Sequence, residues 1–63
     1  MKTLPNIFYT MPEFANMTMD RKDLREVLLD TGGSVLARGV LYDITPKHLG
    51  AGVYKVTLSR NKI

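Results

Sequence analysis

His48 is the single histidine of this 63-residue chain, and with no cysteine beside it any metal or nucleophile scheme has to run through that one ring. Metal sites need Cys, His and carboxylate ligands at short spacings, and no such pattern occurs. Ser34 and Ser59 lack a Gly-x-Ser-x-Gly setting and are not close to His48 in sequence, so neither reads as a nucleophile. The runs Gly32-Gly33-Ser34 and Gly50-Ala51-Gly52 offer backbone N–H groups to an anion. The first, however, follows a helix whose C-terminal end repels anions, and the second precedes no helix. The carboxylate pairs Asp20 with Asp23 and Glu26 with Asp30 sit among cations that neutralise them. We therefore expect no catalytic residue, no cofactor and no metal site, and read the chain as a non-enzyme.

Charge is distributed unevenly. The net charge is +3, yet from Ile44 to Ile63 the only charged residues are Lys47, Lys55, Arg60 and Lys62, while all six acids lie between Glu13 and Asp43. Such a division steers a basic stretch toward nucleic acid or an acidic protein surface, or drives head-to-tail self-association. For nucleic acid the detailed spacing is unfavourable: Tyr54 and Lys55 point to opposite faces of one strand, whereas single-strand binders place aromatic faces beside a basic groove.

The elements that would position these residues follow from pattern and punctuation. Residues 1–16 read as an extended arm, since Pro5 and Pro12 disfavour helix before them and Ile7, Tyr9 and Met11 alternate with Phe8 and Thr10. A short strand is expected at 7–11, apolar on both faces and so covered on both sides or buried against a neighbour. A helix is expected over about 19–30. Thr18 or Asp20 would cap it, Met17, Leu24, Val27 and Leu28 supply its apolar stripe, and Gly32-Gly33 ends it. Arg21, Lys22 and Arg25 fall near its positive end and Asp30 near its negative end, each opposing the dipole by a few tenths of a kcal/mol. Ser34–Ile44 reads as one strand in which Gly39 marks a bulge or a close backbone approach, residues 45–52 as a loop, and Tyr54–Ser59 as a half-buried strand with Tyr54, Val56 and Leu58 inward. The sum is a single small α+β domain with the order β-α-β-β: the arm, one helix, and a C-terminal antiparallel hairpin with a long tip, the last two spanning 17–63.

Size sets the next expectation. A chain of this length buries only about 60% of the surface its unfolded form exposes, and natural small proteins make up the deficit with disulfides, metals or partners. Without cysteines, partners are the remaining route, and an assembly would also hold both chain ends in place. A thin sheet with open edges invites strand addition. No apolar run exceeds three residues, far short of the roughly 20 of a spanning helix, and Met1–Tyr9 is too interrupted for an export signal, so no membrane partner is expected.

The run Val35-Leu36-Ala37-Arg38-Gly39-Val40-Leu41-Tyr42-Asp43, followed by Gly50-Ala51-Gly52-Val53-Tyr54-Lys55-Val56, resembles the small head-to-tail joining proteins of tailed bacteriophages. Those carry an Arg-Gly-aliphatic-aromatic-Asp strand, a loop and a glycine-led strand, and are usually longer, with further strands. The resemblance implies a non-enzymatic structural role in the virion, in rings of β-barrel pieces, and carries over no functional residue. We thus expect an assembly protein of the virion or host cytoplasm that binds other protein subunits, as a homo-oligomer or within a larger assembly. Ile7, Phe8, Tyr9, Met11 and Phe14 of the arm would contact partners together with the hairpin edge, and Arg38, Lys55, Arg60 and Lys62 would meet an acidic neighbour. The alternative is a small regulator that binds nucleic acid or inhibits a host enzyme one to one.

Overall fold

In the computed structural model residues 3–61 are described. The helix is α2, Arg21–Thr31. Asp20 caps it, its side chain accepting the backbone N–H of Asp23 at 2.8 Å. Met19, just before the cap, and Leu24, at the fourth helical position, both enter the core, the two places that fix the entry angle of a helix. At the other end Gly32 takes φ 73° and donates its N–H to the Leu28 carbonyl, a left-handed stop that a side chain would disfavour. Thr18 is not the cap. It lies in β1, Asn16–Asp20, where Met17 and Met19 turn inward and Asn16, Thr18 and Asp20 outward.

After the helix the chain makes three strands, β2 (Ser34–Ala37), β3 (Val40–Gly50) and β4 (Val53–Arg60), antiparallel throughout, in the spatial order β1-β4-β3-β2. The architecture is α+β as expected, a curled half-barrel sheet with one main helix between β1 and β2. Three details correct the expectation. First, Ser34–Ile44 is two strands: Arg38 (φ 52°) and Gly39 (φ 79°) form a two-residue turn between Ala37 and its partner Val40, the left-handed pair that hairpins of this length require. Gly39 is neither bulge nor close approach, since a Cβ there would meet nothing within 4 Å.

Second, the expected loop at 45–52 is mostly strand, and the long tip shrinks to Ala51 (φ 50°) and Gly52 (φ 75°). Pro46 is tolerated because the Ile44 N–H points away from β4, to the Gly33 carbonyl at 2.9 Å. Two residues on, the nitrogen of Pro46 faces the same way, past the point where β2 has begun to pair, so no ladder bond is lost. A register irregularity between His48 and Gly50 then bulges Leu49 outward before the turn.

Third, the arm is not a strand at 7–11. It winds into α1, Ile7–Thr10, and a 3-10 turn, Pro12–Phe14. The Asn6 carbonyl accepts the N–H groups of Tyr9 and Thr10 at 2.8 and 3.0 Å, and Pro12 opens its turn where a missing N–H costs nothing. Leu4, Phe8, Pro12 and Ala15, spaced close to a helical period, are all buried. They close the core against Val35, Ile44 and Val56 of the sheet and Leu24 and Val27 of α2, with Tyr42, Tyr54 and Leu58 packed at its margin. The chain ends, including Lys62, lie outside the described residues.

Candidate interaction surface

The N-terminal segment, α1 and the 3-10 turn joined at non-helical Met11, buries some of its apolar side chains and exposes others. Phe8 is fully buried, which corrects its assignment to a partner contact, whereas Ile7, Tyr9, Met11 and Phe14 are exposed, Phe14 by 63%. Ile7 on α1, Met11 between the two turns and Phe14 on the 3-10 turn are thus separately exposed beside the buried residues of the same segment. A segment whose apolar residues are all buried seals its own domain; one that also exposes several carries surface beyond what the fold uses.

Arg38 belongs near these residues. It sits in the β2–β3 turn with its guanidinium 4.0 Å from the Glu13 carboxylate of the 3-10 turn, and α1 itself packs against β2. Both partners of that ion pair are largely solvated, so it orients the turn more than it stabilises it. Leu36 and Leu41, directly opposite one another on β2 and β3, add exposed apolar surface on the outer face of the sheet.

The remaining basic residues do not join this surface. Lys55 projects from the outer face of β4, with Lys47 across from it on β3 and Thr18 on β1. Arg60 pairs with Tyr42 and has the opposite parity, on the core-side face at the end of the strand. The Lys55, Arg60 and Lys62 grouping therefore divides: two faces, and one residue outside the described range. Register likewise separates Tyr54, inward as expected, from Lys55. It also puts Ser59, whose Oγ accepts from Thr45 Oγ1 at 2.9 Å, on the face away from His48. The His48 ring instead leans on Tyr54, centroids 4.9 Å apart. Among the described residues no three His, Cys, Asp or Glu side chains gather as a metal set, and no helix is long and apolar enough to cross a membrane.

A second feature was not anticipated as a site. Between α2 and β4 runs an open groove of about 530 Å³ lined by Arg21, Leu24, Arg25, Leu28, Leu29 and Tyr54. Its one signal in the sequence is the placement of Arg21 and Arg25 against the helix dipole, a cost without local benefit.

Comparison of the chain with protein-family models, with curated proteins and with solved structures finds no match in any of the three.

Proposed function

We propose that this chain is a non-enzymatic assembly protein that docks on neighbouring protein subunits through the outward side of its N-terminal segment. The observation that carries this reading is that one short segment holds buried Leu4, Phe8 and Ala15 together with exposed Ile7, Met11 and Phe14. Fully covering a Met, Ile or Phe side chain is worth about 1.5–3 kcal/mol, and these three are already partly covered. Association costs at least about 4 kcal/mol in lost freedom, so these side chains by themselves hold a partner weakly.

The sheet edge supplies the rest. Among the described residues β2 pairs only with β3 and β1 only with β4, so each carries an outer edge able to accept a strand. Because α1 packs against β2, a subunit adding a strand there would lie beside these exposed residues. The setting we propose is the one the resemblance to head-to-tail joining proteins implies: a small virion component, made in the host cytoplasm, that closes its half-barrel against other subunits.

Sedimentation velocity on the isolated chain over a dilution series tests the reading. We expect a reversible oligomer whose sedimentation coefficient falls on dilution. A folded chain that stays monomeric at every concentration would overturn it.

A further inference from the structure

The groove between α2 and β4 stands apart from the exposed arm residues and has a different chemistry. Leu24, Leu28, Leu29 and Tyr54 line it together with Arg21 and Arg25, and Leu29 is 76% exposed. No carboxylate lines it.

We propose that this groove binds a short segment of a partner protein bearing both carboxylates and leucine-like side chains. Arg21 and Arg25 are one turn apart, so they repel one another, and Arg21 sits in the first turn at the positive end of the helix. A bound carboxylate removes both costs and gains charge-assisted hydrogen bonds, bidentate where the guanidinium geometry allows. Arginine and tyrosine are also among the residue types that concentrate binding energy at protein interfaces. Nucleic acid would satisfy the arginines but leave Leu28 and Leu29 wet, which is why an acidic apolar segment fits better. From Arg21 to Leu29 the helix rises about 12 Å, room for about two turns of a bound helix or four residues of a strand. The acids of this chain itself lie between Glu13 and Asp43, several of them on α2, so a separate protein is the simpler source.

The test is selection of short random peptides displayed against the intact chain, followed by fluorescence anisotropy of the enriched peptide on variants. We expect enrichment of Asp and Glu interspersed with Leu, Ile or Phe. Affinity should fall about tenfold or more in Arg21→Glu/Arg25→Glu and in Leu29→Ser, and stay unchanged in Ile7→Ser/Met11→Ser/Phe14→Ser. All substituted side chains are exposed, and circular dichroism confirms that each variant is folded. Failure to enrich any peptide, enrichment without acidic bias, or affinity unmoved by the groove substitutions would overturn the proposal. So would single-stranded DNA binding through Arg21 and Arg25, or loss of self-association in the groove variants with peptide binding intact. Loss of peptide binding in the arm variant alone would move the site to the arm.

Discussion

Phe8 and Phe14 are the same residue type six positions apart, and they have opposite fates, one sealed in the core and one 63% exposed. Removing the first leaves a cavity lined by Leu, Val and Ile, a loss of about 3–5 kcal/mol for Phe→Ala. A domain of this length has a total stability on the order of 3–9 kcal/mol at typical values per residue. Phe8→Ala should therefore remove about a third or more of the total stability, whereas Phe14→Ser should change it by less than about 0.5 kcal/mol. Urea melts followed by circular dichroism check both. The sequence reading placed both phenylalanines at the partner surface because alternation and helical spacing coincide in Ile7-Phe8-Tyr9-Thr10-Met11: with apolar residues at four of five positions, neither period stands out. What breaks the tie is Leu4 and Ala15, which extend the buried stripe at helical spacing beyond the window in which a strand was sought.

At the scale of elements, legibility tracked local chemistry. The helix was visible because its signals are local: Asp20 bonding three residues on, leucines and valine on one face, Gly32 in the left-handed region. The strands were harder to delimit, because their partners are distant in sequence. Pro46 and the glycines around Ala51 carry every mark of a loop, and only the position of β2 shows that Pro46 faces an unpaired edge. The two tight turns share a feature that makes a prediction. Arg38 and Ala51 occupy the left-handed region at φ 52° and 50°, which costs an L-residue roughly 1 kcal/mol that glycine does not pay in strain. Ala51→Gly should raise stability by up to about 0.6 kcal/mol once the greater entropy of the unfolded glycine is set against the relief. Thermal melts of the single variant check the sign. A lowered melting temperature would mean that Ala51 is not held in the left-handed region in solution.

For the molecule as a whole, the charge division along the chain does not become a division in space, since the sheet interleaves its segments. β1 and β4 lie side by side although one comes from the acidic half and the other from the basic half. The candidate surfaces arise from that interleaving: exposed apolar residues where the N-terminal segment packs against β2 and β4, and a basic-apolar groove where α2 meets β4. The sequence pointed to Ile7, Phe8, Tyr9, Met11 and Phe14 alike as contact residues, and nothing local separates buried Phe8 from the four that are exposed. The groove was not legible in the sequence, because Tyr54 and Leu28 meet across it only once β4 and α2 are placed by the sheet. On the proposed reading the N-terminal segment serves both folding and assembly, and Ile7→Ser/Met11→Ser/Phe14→Ser separates the two roles. Sedimentation velocity of this triple variant, matched to a circular dichroism melt, should give a folded monomer with the melting behaviour expected for the undamaged core. An oligomer as large as that of the unsubstituted chain would contradict the assignment of assembly to those residues.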